Sequence, residues 1–423
     1  MAMKSALLWS ALQTGTRLAL SFISIKVTAV YLGPAGLAVT AQFSAFLSLL
    51  HGTLGNAVQT GVVKMTAQIP VQSGPDDRYA ALWSTAMKLA LLLAGLAGLA
   101  VAAASVPLAS WLLKDPAYWP AMVLGGVTLP LVLAGTVLVG AVNGLQQIGL
   151  VGLIGTGAAL VGALAFIPLC YAFGVAGGLA GTALAYSGLF FVAILCVRRT
   201  RSVRARDFLA AWDRPAAAAL VAFFPMLLVH SIFTPLPGIL IRDMLAGSYG
   251  LASAGQWQAA VRLSDMFTLV LTTALSMYLM PHLSAAEGRR FNRELALATL
   301  QVTALTATGC TAIYLLRDLV IAIVFTPEFT PVRELLPWIL VGDVLKMAAW
   351  PLQMALVIKL RGAWYIGNIL GMGTVFVGLT WFWLPSMGAQ AATIAYAVAN
   401  GLCLLSLLVA YRESWHELRS KTV

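Results

Sequence analysis

Charged side chains are scarce in this chain. Of its 423 residues only 10% are Asp, Glu, Lys or Arg, and acidic residues are the scarcer sign, with 15 against 26 basic ones. No polar stretch is long enough to fold as a soluble domain, whereas apolar runs of about 20 residues, the length that spans a bilayer as a helix, recur from end to end. This composition indicates a membrane protein, and nucleic-acid binding is the weaker interpretation of its positive charge because no soluble basic domain is present.

Metal-ligating and catalytic patterns are also missing. The four cysteines lie singly in different apolar runs, without a CxxC pair, and the four histidines are scattered. The sequence contains no DxD pair, no GxSxG elbow and no GxxxxGK[ST] loop. We therefore expect no metal site and no cofactor, and we predict a transporter rather than an enzyme.

The apolar runs predict an all-α polytopic membrane protein. We place twelve transmembrane helices at 5–30, 40–65, 81–106, 120–143, 149–172, 176–198, 216–242, 253–281, 296–316, 334–359, 363–384 and 388–411.

Basic residues fall mostly on one side of this arrangement. A cluster of six arginines lies between Arg198 and Arg214, and the other loops on that side are also basic. Because short cytoplasmic loops collect Lys and Arg, both termini are predicted to be cytoplasmic. The arginine cluster also suits contact with anionic membrane lipids.

The chain repeats itself over half its length. The segment 36–38, Gly-Leu-Ala, followed by Gln42, recurs at 250–252, followed by Gln256, and the segment 115–118 is echoed at 326–329. Six helices per half gives both halves the same orientation, so we predict two parallel six-helix bundles around a central cavity. The predicted domains are an N-terminal bundle, a basic linker, a C-terminal bundle and a cytoplasmic tail, at 1–198, 199–215, 216–412 and 413–423.

Five cations lie within or at the edge of the apolar runs: Arg17, Lys26, Arg242, Arg262 and Lys346. Only Asp243, Asp265 and Asp343 are placed to offset them. A charge at the bilayer centre costs about 2.5–3.5 kcal/mol on insertion scales, so each is a functional-site candidate. The excess of cations indicates an anionic substrate.

Helical spacing distinguishes these residues. Arg17 lies on a polar row of the first helix, whereas Lys26 points away from that row. Arg262 and Asp265 are three residues apart, as are Asp343 and Lys346, so each pair can form an ion pair. Two self-neutralising structural pairs are the alternative to a binding site.

Two further positions stay open at this point. Pro225, Pro235 and Pro237 predict a kinked or broken seventh helix, which ends at Arg242, a substrate-binding candidate or an interfacial charge. His51, within the second helix, is a candidate for coupling or ion pairing, or a hydrogen-bonded packing residue.

Several motifs resemble the Wzx-type polysaccharide-unit flippases, of the multidrug/oligosaccharidyl-lipid/polysaccharide exporter superfamily, and among them the branch that serves enterobacterial common antigen synthesis. They are Lys26, the Gly-Pro-Ala-Gly-Leu segment at 33–37, Trp257-Gln258, Ser264-Asp265, the segment Tyr278–Ser284 and the segment Val341–Lys346. The likeness runs along nearly the whole chain.

This resemblance implies a substrate of undecaprenyl pyrophosphate carrying a short oligosaccharide, moved from the cytoplasmic to the periplasmic leaflet of the inner membrane. It implies that Lys26, Arg262, Asp265, Asp343 and Lys346 surround the pyrophosphate and sugars. An O-antigen or exopolysaccharide unit is an alternative glycan. A polysaccharide polymerase and a chain-length regulator are expected partners, the chain itself being a monomer.

The energy source of transport and the class of protein each leave alternatives open. Asp265 or Asp343 is a candidate for proton exchange, which would couple transport to the proton gradient. A multidrug or metabolite cation antiporter of the same superfamily is one alternative, although it would favour unpaired carboxylates. A membrane polymerase or transferase is another, although it would need a large periplasmic loop.

Overall fold

A computed structural model describes residues 2–69, 77–200, 203–222, 224–286, 288–358 and 362–420. The side chain of Ser10, a residue of the polar row of the first helix, and the side chains of the predicted tail 413–423 lie outside what is described. Within those ranges the regular structure is helical, with no strand. The α-helices are α1 (Ala2–Gln68), α2 (Asp77–Ala103), α3 (Ser105–Leu112), α4 (Trp119–Gly144), α5 (Ile148–Arg198), α6 (Arg214–Val221), α7 (Phe224–Phe233), α8 (Leu236–Ala285), α9 (Gly288–Leu315), α10 (Arg317–Val324), α11 (Val332–Ile358), α12 (Gly362–Met387) and α13 (Gln390–Ser420).

Three long helices each contain a sharp break at a glycine. Gly33 in α1, Gly174 in α5 and Gly250 in α8 have positive φ angles of 63°, 57° and 82°. Such angles are accessible to glycine without a steric penalty, so the chain can reverse at a single residue. With these breaks, the described helices divide into twelve segments, and the predicted all-α fold is confirmed. Eight of the described helices are long and apolar enough to cross a membrane.

The turn predicted between 30 and 40 is wrong in length. The first segment of α1 continues to Leu32, and the second begins directly after Gly33 at Pro34, because proline is tolerated in the first turn of a helix. The repeat matches Gly36 with Gly250, yet the breaks lie at Gly33 and Gly250, three residues out of register.

The second echo in the sequence is confirmed as equivalent local structure. Residues Pro116–Tyr118 and Pro327–Phe329 each form a 3₁₀ turn, and each turn follows a short eight-residue helix. The seventh helix is broken, as its prolines predict. It consists of α6, α7 and the first part of α8, and α7 ends at Phe233, just before Pro235.

The chain forms two compact units. The first comprises Met1–Leu32 and Val39–Pro235, and the second comprises Gly33–Ala38 and Leu236–Val423. In the second unit the start of the second segment of α1 packs tightly on α8, because a Cβ at Gly255 would overlap the backbone carbonyl of Pro34.

The basic segment that follows α5 docks within the first unit. The ring of Phe208 stacks on Trp83 of α2, with centroids 5.7 Å apart. The carbonyl of Ala210 accepts a hydrogen bond from Ser84 Oγ at 2.5 Å, and the amide of Asp213 donates one to Thr85 Oγ1 at 2.9 Å. These contacts attach the segment to α2.

Candidate functional site

The break in α8 brings two distant polar side chains together. Arg242 lies eight residues before Gly250 and Gln258 eight residues after it, so a reversal at the glycine places them opposite each other. The Arg242 side chain is buried, and its Nη1 donates a hydrogen bond to Gln258 Oε1 at 2.5 Å. Arg242 is therefore held inside the second unit, and the choice between a substrate-binding role and an interfacial charge stays a prediction.

Helix α11 supplies a buried carboxylate. Asp343 has 0% exposure, and its Oδ1 lies 3.2 Å from Lys346 Nζ and accepts a hydrogen bond from the Tyr396 hydroxyl of α13 at 2.9 Å. Its second oxygen, Oδ2, has no hydrogen-bond partner among the described residues. The spacing of three residues predicted this pair, but nothing in the sequence near it indicated Tyr396.

Arg262 and Asp265 have the same spacing and do not pair. In the part of the chain that the structure describes, no ion pair joins them, and Arg262 Nε is buried without a hydrogen-bond partner. The Asp265 side chain is exposed. Within the described residues Arg262 and Asp265 thus do not form a self-neutralising ion pair, and the Arg262 Nε–H group is open to a ligand.

Together these residues form one electrostatic cluster, which we call the cation cluster. Asp265 interacts electrostatically with the other four charged groups, namely Arg242, Arg262, Asp343 and Lys346. Three cations against two carboxylates leave one positive charge in excess. Arg and Lys both donate charge-assisted hydrogen bonds to phosphate oxygens, so the cluster has the chemistry to hold a phosphorylated head group.

The other predicted cations lie in the first unit. Arg17 is exposed on α1, and no ion pair to it exists within the described ranges. Thr28, about three helical turns further along the same row, is buried and donates a hydrogen bond to the Ser24 carbonyl at 2.8 Å. Lys26 is partly exposed. Their substrate contacts remain predictions.

His51 also lies in the first unit, among neutral groups. Its ring packs edge-on against Tyr186 of α5, with centroids 6.3 Å apart, and its Nε2 is buried without a hydrogen-bond partner among the described residues. The Tyr186 hydroxyl bonds to Ser48 Oγ at 2.5 Å and to the Ser44 carbonyl at 3.3 Å. These neighbours favour a packing role, whereas the coupling role of His51 stays a prediction.

We expect His51→Leu to leave the melting temperature of the purified protein unchanged or slightly higher. A buried polar atom without a partner costs about 1–3 kcal/mol, and leucine removes it. Thermal unfolding in detergent measures this. A large loss of stability would contradict the packing role, and normal stability with loss of transport driven by a pH gradient would assign His51 to coupling.

Comparison with known proteins adds independent information. No family model matches the chain. Lipid III flippases of Escherichia coli (strain K12) and Shigella flexneri are each 27% identical over 397 residues, covering 94% of this chain and 95% of theirs. The predicted resemblance to this branch of flippases is thus confirmed.

Solved structures share the fold at low identity. An inward-facing multidrug resistance MATE transporter superposes with a TM-score of 0.75 at 14% identity, covering 96% of both chains. The lipid II flippase MurJ, in an inward closed conformation, superposes with a TM-score of 0.75 at 13% identity, covering 95% of this chain and 87% of its own. A transporter from Pyrococcus furiosus, reported to have a binding pocket of reversed polarity, superposes with a TM-score of 0.68 at 14% identity. The match covers 98% of this chain and 96% of that transporter. These likenesses establish the membrane-transporter fold.

Proposed function

We propose that the chain is a flippase that moves an undecaprenyl-pyrophosphate-linked oligosaccharide from the cytoplasmic to the periplasmic leaflet of the inner membrane. The carrying observation is the cation cluster, in which Arg262 Nε is buried without a hydrogen-bond partner among the described residues and cations outnumber carboxylates. The names of the flippase relatives, which match along nearly the whole chain, support the same substrate class.

The members of the cation cluster have different roles in this proposal. Asp343 and Lys346 already contact each other, so Lys346 offers its remaining donors while its own charge is largely balanced. Arg262 offers an unused N–H group to a phosphate oxygen. Asp265, which is exposed, accepts hydrogen bonds from sugar hydroxyls or exchanges a proton during transport. Transport then proceeds by alternating access.

Other aspects of the proposal rest on the sequence and the relatives. Lipid III is the leading candidate substrate, with an O-antigen or exopolysaccharide unit as the alternative. The basic loops support cytoplasmic termini. A monomer that works beside a polysaccharide polymerase and a chain-length regulator completes the proposal.

A reconstituted vesicle assay tests this function. Purified protein is inserted into vesicles that carry the lipid-linked oligosaccharide in both leaflets, and periodate, which does not cross the membrane, oxidises only the outer sugars. We expect the protein to make the inner pool accessible as well, and an imposed pH gradient to accelerate the process if a proton is exchanged. Flipping that is independent of the gradient would remove proton coupling.

The same vesicles separate the alternative function. A cation exporter would move an organic cation such as ethidium, which the positive excess of the cation cluster disfavours. Transport of ethidium without movement of the lipid-linked oligosaccharide would contradict the proposal. An MATE-like fold alone does not favour that outcome, because related folds serve different substrates.

A further inference from the structure

The second unit contains a groove between α12 and α13 that the cation cluster does not use. Its cavity is about 450 Å³, within the range of small-molecule sites. Trp364, Gly371 and Val375 of α12 form one wall, and Leu402 and Ser406 of α13 form the other. The described walls are uncharged, and Trp364 and Leu402 are exposed, so the groove faces hydrocarbon.

The floor of the groove is glycine backbone with unfilled space above it. Gly367 and Gly371 are one helical turn apart, and a Cβ at either position would meet no atom within 4 Å. Glycines in membrane helices more often allow close helix packing, as Gly98 and Gly126 do here, where a Cβ on one would strike the backbone of the other. The glycines in the groove instead leave open space beside α12.

The groove has the height of one leaflet. Trp364 and Val375 are eleven residues apart, which corresponds to about 16 Å along a helix. This is roughly half of the 30 Å hydrocarbon thickness of a bilayer. Trp364 lies beside the basic loop that contains Lys359 and Arg361, so the predicted topology places the groove in the cytoplasmic leaflet.

Polar side chains join the groove to α11, the helix that carries Lys346 of the cation cluster. Asn368, at the groove, donates a hydrogen bond to Ser406 Oγ at 2.8 Å and accepts one from Gln353 Nε2 of α11 at 3.2 Å. Gln353 lies seven residues after Lys346, which is two helical turns away on the same face of α11. Asn368 of the groove is thus bonded to the face of α11 that carries Lys346.

We infer that this groove holds the polyprenyl chain of the substrate while the pyrophosphate occupies the cation cluster, an inference that rests on the proposed function. Lys346 lies twelve residues, or about 18 Å, from the end of α11, far from the membrane surface. An ordinary phospholipid keeps its phosphate at the membrane surface, so its phosphate does not reach the cation cluster. If the charged group of a lipid enters the cation cluster, the hydrocarbon chain of that lipid must leave the protein at the same depth in the membrane. The groove begins at this depth.

Filling the groove tests the inference. Gly371→Leu places a side chain in the cavity, and Gly378→Leu is the matched control, because Gly378 is also exposed on α12, with no atom within 4 Å of its Cβ position, but lies outside the groove. Leu402→Trp fills the groove from α13 if Gly371→Leu does not fold. Melting temperatures establish folding for each variant.

Binding to the purified full-length chain is measured by native mass spectrometry with two probes, undecaprenyl pyrophosphate and its short-chain analogue geranyl pyrophosphate. We expect Gly371→Leu and Leu402→Trp to weaken the long-chain probe about tenfold, as displacement of about two methylene groups from an apolar site would. Geranyl pyrophosphate should bind all variants equally, and Gly378→Leu should bind both probes like the parent chain.

Two results would overturn the groove assignment: equal binding of the long-chain probe by Gly371→Leu and Gly378→Leu, or a loss confined to co-purified phospholipid. Failure of the proposed function gives a different pattern. In that case neither pyrophosphate binds the parent chain, or Arg262→Ala leaves both affinities unchanged.

Discussion

Replacing Lys346 by methionine is expected to destabilise the protein by about 3–5 kcal/mol, the range for breaking a buried ion pair by removal of one partner. Asp343 is fully buried, and Lys346 is the cation within 4.0 Å of its carboxylate. Without that cation, the remaining contact to Oδ1 is the hydrogen bond from Tyr396, and Oδ2 has none among the described residues. The loss appears as a lower melting temperature in detergent and a lower yield of folded protein.

The double variant Asp343→Leu with Lys346→Met is expected to recover most of that stability. Replacing a buried ion pair by apolar residues of similar volume is often neutral or stabilising, because the cost of desolvating two charges disappears. The double-mutant cycle isolates this term. A double variant no more stable than Lys346→Met would contradict the ion-pair explanation.

An exposed ion pair provides the control for this cycle. In α9, Arg290 Nε lies 2.7 Å from Glu294 Oε1, but the Arg290 side chain is 76% exposed. Solvent screens such exposed pairs and they contribute little to stability, so Arg290→Met should barely change the melting temperature. A comparable loss at both pairs would mean that burial of Asp343 is not the cause.

The sequence predicts most of the helical framework because length and hydropathy decide it. Apolar runs give the membrane-spanning segments, and Pro235 marks a break in the seventh helix. It does not predict how short a connection becomes. The turn before residue 40 shrinks to the single residue Gly33, because one positive φ angle reverses the chain and Pro34 can start the next helix at once.

The sequence predicts the candidate site only in part. Spacing places Asp343 with Lys346 and Arg262 with Asp265 on common helix faces, yet only the first of these pairs forms within the described residues. A common face allows contact, whereas the neighbouring helices decide which partner each side chain takes. Tyr396 contacts Asp343 across 53 residues of sequence, a relation that helical periodicity along one segment cannot reveal.

The sequence also does not predict contacts between residues on opposite sides of a helix break or on different helices. Arg242 and Gln258 meet only because the chain reverses at Gly250, and the amide group of Asn368 meets Gln353 only because α11 and α12 pack together. Nothing in the local pattern of either helix signals these contacts. The intramembrane charges therefore predict candidate residues for a site, and the fold determines which of their donors remain available to a ligand.

Arg262→Ala is expected to weaken binding of undecaprenyl pyrophosphate by about 10- to 150-fold, which corresponds to the roughly 1.5–3 kcal/mol of a hydrogen bond to a charged group. Arg262 Nε is buried without a partner in the described part of the chain, so its removal breaks no internal hydrogen bond at that atom. The melting temperature should therefore stay within a few degrees of the parent value, in contrast to Lys346→Met.

Two further variants sharpen this test of Arg262. Arg262→Lys keeps the charge but loses the planar group of N–H donors, so it should recover only part of the affinity. Arg290→Ala removes the same side chain from the exposed face of α9 and should bind like the parent chain. Titration by native mass spectrometry, together with the initial rate of lipid flipping in vesicles, measures each variant. If Arg262→Ala lost stability and affinity together, Arg262 would be a structural cation; affinity lost at normal stability places its free donor on the phosphate.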